Sequence, residues 1–133
     1  MKKILVAYDG TEPAEHALAT AIDLAKAFDA AVGVVSVVPI HVGRAPIDPW
    51  DDRPIHAAQL GQAQRILAKA GIEAQLHEPM GDPARAIERT ATESGYDTIV
   101  IGSRGLGRLE RVLQGSVSEH VATHATETVI IRR

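Results

Sequence analysis

The chain has 133 residues, enough for one hydrophobic core and too few for two ordinary domains, so residues 1–133 read as a single domain. Hydrophobic residues make up 45% of it with no apolar run of bilayer length, and Met1-Lys2-Lys3-Ile4 enters a strand at once, unlike a signal peptide, so a cytoplasmic domain with no membrane insertion is expected. A net charge of −3, no cysteine, and only one Trp, two Tyr and one Phe exclude disulfides and thiol chemistry and leave little for nucleic acid to bind or stack on.

Strand-like and helix-like patterns then alternate. Lys3 to Tyr8 is a nearly continuous apolar run of strand length, followed by Asp9-Gly10-Thr11 and by Ala14, Ala17, Leu18, Ala21, Ala25 and Phe28 at helical spacing. Asp9 or Thr11 can cap that helix, and Glu12 and Glu15 complement its dipole. Ala31 to Val38 is a second β-branched run. Pro39 to Pro54 carries four prolines and Gly43 without a period, and reads as a long loop over the cleft, a lid with Trp50 as its reporter. Ile55 to Ala70 is helical and stops at Gly71; Ile72, Ala74 and Leu76 alternate with polar neighbours, as in a strand with one solvated face. A helix from Pro83 to Ser94 ends at Gly95, the run Asp97 to Ile101 is strand-like, and Thr128 to Arg132 is the last strand.

Between those two strands lie the glycines that carry the chemistry. Gly102-Ser103-Arg104-Gly105 follows a strand, and Gly115-Ser116 opens a helix through Val117, Val121 and Ala122. Missing Cβ atoms let backbone N–H groups approach an anion, and the first N–H groups of a helix favour negative charge. Arg104, Arg108 and Arg111 add positive potential, partly offset by Glu110. The spacing fits neither the Walker A pattern nor the dinucleotide fingerprint, and the loop contains no lysine.

The pattern resembles that of the universal stress protein family, whose ATP-binding members carry Gly, two residues, Gly, nine residues, then Gly-[Ser/Thr]. Gly102, Gly105, Gly115 and Ser116 match it without a gap, and the likeness runs from Ile4-Leu5-Val6-Ala7-Tyr8-Asp9-Gly10 to Thr128-Val129-Ile130-Ile131. The pattern of elements predicts an α/β fold with a parallel sheet and helices on both faces. The resemblance adds a doubly wound, five-stranded sheet of order 3-2-1-4-5, like the adenine nucleotide alpha hydrolases. It also implies that Asp9 contacts the adenosine end of a nucleotide, that Val37 borders the base, and that Ile101 and Val117 line the site. ATP or another adenine nucleotide is the expected ligand, with Mg2+ or Mn2+ held through the phosphates. Regulation by binding is the expected function; slow ATP hydrolysis and cyclic AMP binding are the alternatives, since no residue is assigned as a base.

Two further expectations concern the surface. His120 and His124 lie four apart on the last helix, but no motif ties a carboxylate or third histidine to them, so they read as surface or packed residues; His41 and His56 read as solvent-exposed. The strand Thr128 to Arg132 is an edge with three consecutive β-branched residues, which invites a homodimer unless Arg132 and Arg133 blunt it.

Overall fold

Why five short apolar runs become one sheet is visible in the computed structural model, which describes residues 1–38, 53–103 and 116–133. The elements are β1 (Lys3–Ala7), α1 (Glu12–Phe28), β2 (Ala31–Val35), α2 (Arg53–Lys69), β3 (Ala74–His77), α3 (Pro83–Glu93), β4 (Thr98–Gly102), α4 (Ser116–His124) and β5 (Thr128–Arg132). The strands pair in parallel in the order β3-β2-β1-β4-β5, as expected. Ile4, Leu5 and Val6 are fully buried because helices cover both faces of the central strands, which is why β1 and β4 read as unbroken apolar runs.

The two faces of β1 feed two cores. Ile4, Val6 and Tyr8 pack with Ala14, Ala17, Leu18 and Ala21 of α1 and with Leu60 and Leu67 of α2. Leu5 packs with Ile87 of α3, Tyr96, Ile99 and Val121 of α4. The alanines of α1 let that helix approach the sheet closely, and the helix ends at Asp29 in the left-handed region, φ 54°. Phe28, placed on the apolar stripe by spacing, is 56% exposed: it is the last residue of α1 and joins neither core.

Two boundaries and one face differ from expectation. The paired part of β2 stops at Val35, although Ser36 N donates to His77 O (3.0 Å) and Val38 bridges Met80, so pairing continues past the named strand. β3 begins at Ala74, since Ile72 N donates to Leu67 O and closes the end of α2, where Gly71 has φ 80°. The face of β3 expected to be solvated is occupied by Tyr96. Its hydroxyl lies 2.7 Å from His77 Nε2 and donates to Gln75 Oε1 (3.2 Å), and Lys3 Nζ sits 4.6 Å from its ring centre. Burial, reinforced by the Lys3 charge, holds the His77 imidazole below its ordinary pKa. The ring fits only because β2 has no side chain at Gly33.

α3 is capped by Asp82, whose carboxylate accepts from Arg85 N (3.1 Å), with Pro83 in its first turn; Asp82 is a cap that the reading of Pro83 alone had not named. The predicted lid from Pro39 to Pro54 falls on residues 39–52, which with Trp50 and His41 lie outside the described residues, and Arg53 already begins α2.

Candidate functional site

In a sheet of this order the chain leaves β1 towards one side and β4 towards the other, so the carboxyl ends of these two strands open a crevice. A cavity of about 180 Å³ occupies it. Its walls come from every layer: Asp9 beyond β1, Val37 beyond β2, Ile101, Gly102 and Ser103 at the end of β4, Ile87 of α3, and Val117 of α4. Of the residues expected in the site, Asp9, Val37, Ile101, Gly102 and Val117 are thus brought together. Gly105, Gly115 and the arginines Arg104, Arg108 and Arg111 lie outside the described residues; Ser116 is the first residue of α4.

Three helix N-termini meet the cavity: Pro13 and Ala14 of α1, Pro83 of α3, and Val117 and Ser118 of α4. The dipoles of these three helices make this end of the domain receptive to an anion. Thr11 caps α1, its Oγ1 accepting from Ala14 N (3.4 Å). Asp9 stands one step behind the cap: a single oxygen, Oδ1, accepts from both Thr11 N (3.0 Å) and Thr11 Oγ1 (2.6 Å). Asp9 therefore braces the cap with one carboxylate oxygen, and both hydrogen bonds of its side chain among the described residues fall there. Its second oxygen remains available to a donor in the cavity.

Gly102 also has a close neighbour that its sequence context did not suggest. A Cβ there would lie 2.5 Å from Pro13 C and O and 2.9 Å from Ala14 N. The missing side chain lets β4 meet the backbone of the first turn of α1, which holds the two halves of the crevice together. Within the described residues, close backbone packing is thus the requirement for glycine at this position.

Sequence reasoning missed two groups. Tyr8, with only 2% of its surface exposed, lines the cavity, and its hydroxyl has no hydrogen-bond partner among the described residues. Burial, and then the nearby carboxylates of Glu15 and Asp9, push its pKa above the ordinary phenol value, so it stays a neutral donor. Its place on the strand made it look like plain core. His56, expected in solvent, is instead half-buried and lines the cavity. Gln59 Nε2 donates to the carbonyl of Asp9 (2.8 Å), an acceptor only, which turns Gln59 Oε1 towards Ser36. The buried Ser36 hydroxyl donates to that oxygen (3.2 Å), so the contact between Ser36 Oγ and His56 Nδ1 (2.7 Å) has the imidazole as donor. The helical run at Ile55 showed that α2 starts there; nothing local showed that its first turn folds back onto the end of β2.

A parallel sheet of this order, with helices on both faces and a cavity at its switch point, defines a domain of the doubly wound α/β class. The sequence pattern of the universal stress protein family matches residues 1–133. The universal stress protein YxiE of Bacillus subtilis is 31% identical over 150 residues, which cover 98% of this chain and 98% of that protein. Among solved structures, the universal stress protein UspA from Lactobacillus plantarum superposes with a TM-score of 0.82 at 27% identity, covering 99% of this chain and 97% of that one. The universal stress protein from Archaeoglobus fulgidus, in complex with dAMP, superposes with a TM-score of 0.79 at 27% identity over 100% of this chain and 98% of that one. The chain belongs to the universal stress protein family.

Proposed function

We propose that this chain is a nucleotide-binding regulatory protein of the stress response, in which an adenine nucleotide, ATP foremost, occupies the switch-point cavity. The observation that carries the reading is the convergence of Asp9 with three helix N-termini on one crevice, a carboxylate beside a cluster of anion-favouring dipoles. Such an arrangement suits a ligand with a donor-bearing sugar at one end and phosphate at the other. The dAMP complex of a 27% identical neighbour supports the same ligand class. In this reading Asp9 and Val37 meet the adenosine, while Ile101, Gly102, Gly105, Gly115, Ser116 and Val117 form the path to the phosphates, with Mg2+ or Mn2+ held by phosphate oxygens and water. The function lies in binding, with hydrolysis slow at most.

Two measurements test this. Mass spectrometry of small molecules retained by the purified protein is expected to find an intact adenine nucleotide. Calorimetry on Asp9→Ala is expected to show ATP and AMP affinity reduced by about 1.5–3 kcal/mol, roughly 10- to 100-fold, with inorganic phosphate binding nearly unchanged. Unaltered ATP affinity in a folded Asp9→Ala protein would remove that carboxylate from the site, and no affinity of the wild-type chain for any adenine nucleotide would end the reading. Release of ADP over time would move it towards a hydrolase, and tighter binding of cyclic AMP would move it to that nucleotide.

The same reading includes a homodimer through β5. Ile131 on this edge strand is 43% exposed, and Arg132 does not shield it: its Nε donates to Thr20 Oγ1 (3.1 Å), which draws the guanidinium onto α1. An edge of apolar residues whose neighbouring arginine is drawn onto a helix favours pairing with a second copy. Light scattering is expected to report a dimer for the wild-type chain and a monomer for Ile130→Lys; an unchanged dimer would place the interface elsewhere.

A further inference from the structure

We propose that His56 selects the base of the nucleotide, its Nε2 serving as an acceptor that prefers a 6-amino purine to a 6-oxo purine. The inference rests on the nucleotide reading above and adds to it a specificity-determining residue on α2. His56 lies in the first turn of that helix, lines the cavity, and meets the buried Ser36, the neighbour of Val37 at the end of β2. Three elements decide which of its nitrogens carries the hydrogen. The carbonyl of Asp9 accepts only, so Gln59 turns its amide nitrogen to it (2.8 Å) and its amide oxygen to Ser36. Ser36 Oγ gives its one hydrogen to that oxygen (3.2 Å) and has lone pairs left for His56 Nδ1 at 2.7 Å. Nδ1 therefore bears the hydrogen, and in the neutral ring Nε2 keeps its lone pair. Among the described residues no hydrogen bond engages Nε2. The opposite tautomer would leave Gln59 Oε1 facing Ser36 Oγ with no hydrogen between them or, with the amide turned over, facing the Asp9 carbonyl.

The sheet order says which part of a ligand this acceptor meets. β1 lies between β2 and β4, so the cavity runs from Val37 and His56, past Asp9, to Ser103 and the start of α4. The dipole of α4 draws phosphate to the far end. At the near end Val35 and Val37 offer apolar surface to a flat base, and Asp9 stands between the two ends, where the sugar falls. A neutral acceptor beside the base discriminates by what position 6 of a purine presents. Adenine offers an N–H there, whereas guanine and hypoxanthine offer a carbonyl oxygen, which would face the Nε2 lone pair with no hydrogen between them. A site built to accept from a ligand's donor rejects the analogue without it, because the site's own polar group is then left unpaired.

Calorimetry of the full chain with AMP, IMP and purine riboside 5′-monophosphate, which carries no group at position 6, tests the assignment. The wild-type chain is expected to bind AMP about tenfold or more tightly than either of the other two. His56→Leu should bring the three ligands within about twofold of one another by losing affinity for AMP, with inorganic phosphate binding unchanged. Ser36→Ala, which keeps the imidazole but releases its tautomer, should narrow the same preference. Nitrogen NMR of the wild-type chain, a readout that needs no variant to fold, should find hydrogen on His56 Nδ1 and a bare Nε2 whose signal moves on adding AMP and stays still on adding inorganic phosphate. Failure of the wild-type chain to bind any of the three nucleotides would end the nucleotide reading and this proposal with it. Equal affinities for bound AMP and IMP, an AMP preference that survives in a folded His56→Leu, or a hydrogen found on Nε2 would each overturn this proposal alone.

Discussion

Gly33→Ala is expected to cost about 3 kcal/mol or more, because the added methyl group displaces a buried aromatic ring. The new Cβ would stand 1.9 Å from Tyr96 Oη, 2.5 Å from Cζ and 2.8 Å from Cε1, so the ring must leave its seat on β2. Leaving gives up the contacts of Oη with His77 and Gln75, the Lys3 cation over the ring, and the burial of a side chain only 3% exposed. Losses of that kind resemble deletion of a buried aromatic, which costs about 3–5 kcal/mol. The physical cause can be isolated with a second substitution. In a Tyr96→Ala background the added methyl has room, and Gly33→Ala should then be nearly neutral, since alanine suits a strand no worse than glycine. Urea denaturation of the four proteins gives the coupling; additive effects would mean that the ring and the glycine do not share one space.

Gly102→Ala is the second large effect. Here the obstacle is backbone, Pro13 C and O at 2.5 Å, which cannot rotate aside as a side chain can. Overpacking of this kind costs about 1–3 kcal/mol, and at roughly 3 °C per kcal/mol for a chain of this size the melting temperature should fall by about 3–9 °C. Gly61→Ala, in the interior of α2 with only Arg65 Nη1 at 3.4 Å, is the contrasting case: it should raise stability by up to about 1 kcal/mol, because alanine is the better helix former. Because the displaced turn also carries the Thr11 cap, Gly102→Ala should weaken nucleotide binding along with stability. A melting temperature equal to the wild type would show that β4 and α1 can part without cost.

These two glycines mark where the sequence could be read and where it could not. The central strands were legible because residues covered on both faces must be apolar throughout, as Ile4 to Val6 and Ile99 to Ile101 are. The alanine stripe of α1 was legible for the same reason, since periodicity records burial along one element. Gly102 stood out in its loop, but its contact is with residues almost ninety positions earlier, and no local pattern distinguishes a glycine that admits a ligand from one that admits a helix. Gly33 sat unremarked in a β-branched run because the ring that fills its place comes from the turn before β4. His56 and Ser36 illustrate the same limit with polar groups. Polarity predicts exposure on average, whereas the chain from Asp9 through Gln59 and Ser36 to His56 depends on three elements meeting. Asp9, Val37, Ile101 and Val117, expected together from the family resemblance, line one cavity because the strand order brings the ends of neighbouring strands together.

That hydrogen-bonded chain also has an evolutionary consequence. Val38 is fastened to Met80 and Gly81, and the first turn of α2 is fastened through His56 and Gln59 to Ser36 and Asp9, so both points where residues 39–52 join the domain have their own moorings. Neither mooring uses the intervening segment. Insertions and deletions between these points should therefore leave the walls of the crevice in place, and the segment can diversify among paralogues as an exchangeable module while the cavity is inherited unchanged.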